Sequence, residues 1–308
     1  MLKTRKFSVK YVILMCLVLC GCQSAPPEKV KVLMLNGLST HNWKATTQDT
    51  VEALLQTDRF TVDISTSPDK KAPKEEWDKW LPEFSKYDVV VSHINDRGKA
   101  KWSEKLRSEL SKYVKNGGGF VVVHSANNSS YDWPDYNRMI GVGGWGGRKA
   151  SAAGFLLRKT SGQWAPGSEH EGQSGGHGPQ REFLITNDKP EHPVMQGIPK
   201  EWLHSKDELY HSLRGPAEEV DVLGSAYCSE TKVFEPMVMM VKFGKGTVFH
   251  TPMGHYNDVS TKCLGFQAVF VRGTEYAATG AVTIGLPKEF PTKEKAIHKD
   301  PKTVVWVK

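Results

Sequence analysis

The chain has 308 residues, 39% hydrophobic and 24% charged, with a formal charge of +7. Four bases and no acid lie in residues 1–21, and six lysines against three acids lie in residues 287–308, which together account for the whole excess. Residues 22–286 are neutral overall, so nucleic acid is excluded as a partner, and five cysteines without a Cys-x-x-Cys pair exclude both a disulfide scaffold and a thiolate zinc site.

Taken from the N-terminus, Lys3, Arg5, Lys6 and Lys10 precede an apolar run, Tyr11 to Leu19, too short to span a bilayer as a mature helix. Leu19-Cys20-Gly21-Cys22 then matches the lipobox of bacterial lipoproteins. Residues 1–21 therefore read as a removable signal, Cys22 as the lipidation site and residues 22–29, with Pro26 and Pro27, as an extended tether. Acyl chains on Cys22 would hold the body on a membrane without a spanning helix, facing the periplasm or cell envelope. Of the thiols left, Cys228 and Cys263 can form one bond at most.

Lys29 to Asn36 reads as a strand entering a buried sheet, Thr46 to Leu55 as a helix, and Phe60 to Ile64 as a second strand. Glu75 to Phe84 reads as a helix with Trp77, Trp80 and Leu81 on one face, followed by the strand Tyr87 to His93. Trp102 to Val114 is a helix closed by Asn116 and three glycines, and Phe120 to His124 is the next buried strand. Strand and helix alternate four times, the signature of a doubly wound, mostly parallel sheet with helices on both faces. Residues 141–178 are rich in glycine, serine and histidine, too long for a plain connection, and read as a mobile stretch around His170 and His177. Strands resume at Glu182–Thr186, Val220–Tyr227, Met237–Phe243 and Thr247–Thr251, the last two joined at Gly244-Lys245-Gly246. A closing helix covers Lys262–Tyr276, and residues 287–308 read as an extended arm behind a single domain of residues 30–286.

Ligands of open α/β sheets lie beyond the carboxyl ends of the strands. His41, Asn42 and Trp43 follow the first strand, His93, Asn95 and Asp96 the third, and His124, Ser125, Asn127 and Asn128 the fourth. Asp207-Glu208-Leu209-Tyr210-His211 gathers two carboxylates, a phenol and an imidazole, and Gly254-His255 ends the last hairpin. Groups able to titrate or bind a metal thus converge on strand ends, with His124, Glu208 and His255 as candidate catalytic groups. His41, Trp43, His93, Asn127, Asp207, Tyr210 and His211 are candidates for substrate contacts. His124 and His255 are candidate ligands of a divalent metal such as zinc. Trp43, Trp133, Trp145 and Trp164 offer indole faces for stacking on sugar rings.

Gly117 to Ala126, His192 to Gly197, Asp207 to Tyr210 and Gly244 to His255 resemble the ThuA-like family of the class I glutamine-amidotransferase-like superfamily, named for trehalose utilisation. The resemblance covers residue 30 to about residue 286. It implies a flavodoxin-like three-layer domain and a place in carbohydrate catabolism, with a sugar or modified disaccharide as ligand and 3-keto-glycosides as suspected intermediates. It does not imply glutamine hydrolysis, because the strand-to-helix elbow reads Val123-His124-Ser125-Ala126 and offers no thiol; nor does a G-x-S-x-G surround Ser125. A 3-keto group acidifies the neighbouring C–H, so a base with an electrophile suffices for lyase or hydrolase chemistry. A non-catalytic sugar-binding lipoprotein and a metal-dependent hydrolase of a non-sugar substrate are the alternatives.

The anchor is testable by itself. Cys22→Ala should leave an uncleaved precursor, visible as a slower band in immunoblots of cell fractions; a processed, membrane-bound Cys22→Ala chain would contradict the lipoprotein reading.

Overall fold

The computed structural model describes residues 28–96, 102–145, 148, 154–167, 174–255 and 258–307. Cys22, the signal, most of the tether and His170 lie outside the described residues. In chain order the first half runs β1 (Val30–Asn36), α1 (Trp43–Leu55), β2 (Phe60–Thr66), α2 (Lys74–Lys79), β3 (Val89–Ser92), α3 (Glu104–Lys115), β4 (Gly119–Val123) and α4 (Pro134–Ile140). The second runs β5 (Phe155–Arg158), β6 (Trp164–Gly167), β7 (Gly176–His177), β8 (Arg181–Asn187), β9 (Glu201–Asp207), β10 (Tyr210–His211), β11 (Val220–Cys228), β12 (Val233–Phe243), β13 (Gly246–Thr251) and α5 (Leu264–Thr279).

Nine strands form one sheet in the order β2-β1-β3-β4-β13-β12-β11-β8-β9. The first five are mutually parallel and the last four antiparallel, so the doubly wound half is extended by a meander. Strands β3 and β4 are buried on both faces because each face carries helices. Val121 and Val123 point into one core layer with Leu54 of α1 and Phe266, Val269 and Phe270 of α5. Phe120 and Val122 point into the other with Leu106, Leu110 and Val114 of α3 and Tyr136, Met139 and Ile140 of α4. Each such side chain contributes about 1.5–3 kcal/mol on burial, which is why these runs are apolar without alternation. The doubly wound sheet expected from the strand-helix alternation, and the flavodoxin-like α/β fold that the resemblance implies, are the observed ones.

Several local expectations change. The helix expected over Glu75–Phe84 stops at Lys79: Trp80 takes an extended backbone, and Pro82 disfavours helix at the residue before it. Residues 141–178 are not one long loop, since their described part contains the β5–β6 hairpin and β7, which pairs with β10. Strand β9 was not anticipated, because Glu201-Trp202-Leu203-His204-Ser205-Lys206-Asp207 has too little apolar periodicity. The C-terminal arm lies on the domain: Leu203 N–H donates to Thr292 O, Leu264 N–H donates to Ile297 O, and Val304 is buried beside α1. Cys228 and Cys263 are both buried free thiols. No helix among the described residues is long and apolar enough to cross a membrane.

Candidate functional site

Strand order reverses between β1 and β3, and the carboxyl edge of the parallel strands is where the titratable groups meet. His41 stands between β1 and α1, one residue before Asn42, whose Oδ1 caps the helix by accepting from Ala45 N–H. His124 follows β4 directly and carries a φ of 48°, a left-handed backbone rare for a non-glycine residue and held here by its surroundings. His255 follows β13 through Gly254, at φ 103°, where a Cβ would collide with the Phe266 ring. Glu208 follows β9. These four side chains offer ligand atoms all within 4.8 Å of one another.

The three imidazoles form a nearly equilateral triangle, with centroids 5.0 Å (His41–His124), 4.8 Å (His41–His255) and 5.2 Å (His124–His255) apart and each pair close to perpendicular. Glu208 faces them: Oε2 is 3.6 Å from His124 Nε2, and Oε1 is 3.5 Å from His255 Nε2 and 3.9 Å from His177 Nε2. His124 Nδ1 lies 2.8 Å from Pro252 O. A carbonyl only accepts, so Nδ1 carries the hydrogen and Nε2 presents its lone pair to the site. The Tyr210 hydroxyl donates to that lone pair at 3.1 Å. Burial first, and the neighbouring His41 and His255 second, push the His124 imidazole well below its ordinary range, so it is neutral at physiological pH.

A buried carboxylate fixes this arrangement. Asp207 Oδ2 accepts from His204 Nε2–H (2.8 Å) and Gly254 N–H (2.8 Å), while Oδ1 accepts from Glu208 N–H (2.7 Å) and His255 N–H (3.2 Å). Burial alone would lower His204, but the Cys263 sulfur, where it is ionised, and the Asp207 carboxylate outweigh it and raise the imidazole. Asp207 was expected to touch substrate; all its bonds go inward, so it positions the two site residues on either side of it.

The other expected residues divide. Tyr210, on β10, is in the site, its ring 4.6 Å from that of His124. Trp145 is there too, 4.8 Å from Tyr210 and 5.7 Å from His177. Trp43 opens α1, half-buried, with the Lys44 ammonium 5.6 Å over its ring. His93 is not in the group: it is buried under α1 with Nε2 3.4 Å from Thr50 Oγ1, and burial lowers it to about 4. Asn127 is a core residue whose Nδ2 donates to His250 Nε2. His211 turns to the Ser212 hydroxyl. Ser125 is buried in the short 3₁₀ turn His124–Asn128. Trp133 stacks on Tyr136 in the α3–α4 core, and Trp164 gives its indole N–H to Asp188. Sequence reasoning missed His177 and Gln180, which reach the site because β7 pairs with β10 and because Gln180 Nε2 lies 3.1 Å from His255 Nδ1. It also missed His204, for which His204-x-x-Asp207 at a strand end was the available signal.

A flavodoxin-like domain with an imidazole at the β4 elbow defines a branch of the class I glutamine-amidotransferase-like superfamily without the elbow thiol. The ThuA family, described as trehalose utilisation, matches residues 31–277, and the chain belongs to it. A ThuA-like protein from Parabacteroides merdae is 33% identical, with a TM-score of 0.83 over 89% of this chain and 99% of its own. A second, from Bacteroides uniformis, is 19% identical, with a TM-score of 0.53 over 85% of this chain and 97% of its own, a likeness of fold. No curated protein matches.

The placement of His93 gives a pH prediction. It is neutral when folded and takes a proton near pH 6.5 when unfolded, so its contribution to stability is complete above about 6.5 and is lost as pH falls towards about 4. In urea unfolding, the stability advantage of wild type over His93→Gln should shrink by about 1.4 kcal/mol per pH unit across that window. A gap independent of pH would place a charged or exposed imidazole there instead.

Proposed function

We propose that the chain is a lipid-anchored, exported enzyme that cleaves an oxidised disaccharide by lyase or hydrolase chemistry at the β4/β13 edge. The observation carrying this reading is one carboxylate, Glu208, grouped with His41, His124, His255 and His177, with the Tyr210 ring against His124 and the Trp145 ring against Tyr210 and His177. Membership of a family described as trehalose utilisation supports a sugar-related ligand. Aromatic faces suit the apolar faces of sugar rings, and imidazoles with a phenol suit proton transfer.

For a 3-keto-glycoside the step balances as follows. His177, at the exposed mouth, takes the C2 proton; the C2 electron pair forms the C1=C2 double bond; and the C1–O pair departs with the leaving oxygen, which takes the Tyr210 hydroxyl proton. The His177 and Tyr210 rings are 5.9 Å apart and nearly parallel, so the proton can return from one to the other through a bound water. The 3-keto oxygen would sit against the His41–His124–His255–Glu208 group, whose lone pairs and carboxylate are acceptors and would stabilise the developing enolate only through a cation held between them. Addition of water to the resulting enone converts elimination into net hydrolysis.

The purified chain, given 3-keto-trehalose, should release glucose with transient enone absorbance, and should leave unoxidised trehalose intact. Glu208→Gln and Tyr210→Phe should lower kcat by about 10²–10⁴ while remaining folded. Unchanged turnover in both variants would sink this site assignment. Saturable binding of trehalose without any turnover of the 3-keto form would favour the sugar-binding alternative.

A further inference from the structure

We propose that His41, His124, His255 and Glu208 bind a single divalent transition ion of the zinc class, which is the electrophile of the site. The proposal rests on the reading above for its chemistry but on geometry for the ion. A tetrahedral ion with bonds of about 2.0–2.2 Å sets its donors about 3.4 Å apart. Glu208 Oε2 to His124 Nε2 is 3.6 Å, Glu208 Oε1 to His255 Nε2 is 3.5 Å, and no pair of the four donors exceeds 4.8 Å. Small rotations of side chains already aimed inward therefore bring all four donors to bonding distance, and the 3-keto oxygen would enter as a fifth ligand as the shell expands. The donors come from the ends of β1, β4, β9 and β13, so the ion would tie both halves of the sheet at one point.

The surroundings have the form that metal-bound imidazoles require, with the distal ring nitrogen engaged by an acceptor. Pro252 O fixes the His124 tautomer so that Nε2 is the nitrogen whose lone pair faces the site. The Gln180 carboxamide sits against His255 Nδ1 and, turned end for end, accepts from it and frees Nε2. Asp207 fixes the backbone N–H groups of Glu208 and His255. Charge points the same way. Glu208 is buried to within 9% of full cover, and its ion-pair partners among the described residues are all imidazoles, with no lysine or arginine. A carboxylate taken out of water with no lysine or arginine beside it is costly, and a divalent ion compensates it. Three imidazoles and one carboxylate form a borderline donor set that favours zinc and its transition-metal neighbours over calcium or magnesium. With the ion bound, Tyr210 loses the His124 lone pair as acceptor and turns its hydroxyl to the substrate, consistent with its role as donor to the leaving oxygen.

The test is direct metal binding by the full chain. The protein is stripped with chelator, dialysed and titrated with zinc by calorimetry, with magnesium as a comparison and elemental analysis of the protein as purified. About one zinc per chain is expected, bound much more tightly than magnesium, and tetrahedral d–d absorption should appear on cobalt substitution. Glu208→Gln and His41→Ala should each weaken zinc by roughly a hundredfold or more, judged against the 10–100-fold lost with outer-shell partners, while His93→Ala, outside the group, should leave it unchanged. Should His41→Ala fail to fold, Glu208→Gln, which keeps the side-chain volume, decides. Zinc binding below one tenth per chain, or equal affinity in wild type and Glu208→Gln, overturns the proposal. Turnover of 3-keto-trehalose that survives complete metal removal also overturns it and leaves the enzymatic reading standing; tight zinc binding without sugar turnover does the reverse.

Discussion

The carboxylate of Asp207 is the constraint on which the site depends. It is fully buried, and an ionised carboxylate away from water must find hydrogen bonds for both oxygens or become protonated. Here four donors from three places in the chain meet it: His204 on β9, Glu208 immediately after, and Gly254 and His255 beyond β13. Satisfying that one group brings the end of the outermost antiparallel strand and the end of a central parallel strand to the same point, although β9 and β13 are separated in the sheet by β12, β11 and β8. The side chains of Glu208 and His255 are left facing each other because their backbone N–H groups are both spent on Asp207.

The remaining members of the site follow from the parallel half. Strands β1 and β4 end on the same edge, and the loops after them carry His41 and His124 to within ring contact. The left-handed turn at His124 has no glycine to ease it, and local strain of this kind, of order 1–3 kcal/mol, persists only where packing on every side enforces it. The packing is present: Pro252 O holds Nδ1, Tyr210 meets Nε2, and the next four residues are buried. Gly254 answers the opposite need, a positive φ with no room for a side chain, so that the chain passes beneath Phe266 and returns His255 to the edge.

The parallel half was legible in the sequence because its strands are short apolar runs between amphipathic helices, a pattern with few alternatives. The site was legible in part and for the same reason: His41, His124 and His255 stand at strand ends, Glu208 and Tyr210 in one compact motif. What misled was treating all strand-end polar residues alike. His93 and Asn127 occupy the same kind of position and are as buried as His124, yet His93 is turned to Thr50 of α1 and Asn127 to His250 of β13, and the direction a side chain takes leaves no trace in spacing. Strand β9 was invisible because an outermost strand with polar residues at Glu201, His204, Lys206 and Asp207 carries no apolar run. With it went the signal that Asp207 points inward. Of the four tryptophans, Trp145 reached the site, through a β7–β10 pairing of two residues per strand that no periodicity can announce.

The most direct measurement is solvent exchange at C2 of a 3-keto-disaccharide, followed by NMR in D2O with wild type and with Asp207→Asn. A displacement of about 1 Å in a catalytic group can cost about 10²-fold. Wild type should therefore catalyse deuterium incorporation well above the buffer rate, and Asp207→Asn, still folded, should lose roughly that factor. No exchange above buffer with wild type, or equal exchange in a folded Asp207→Asn, would contradict the account.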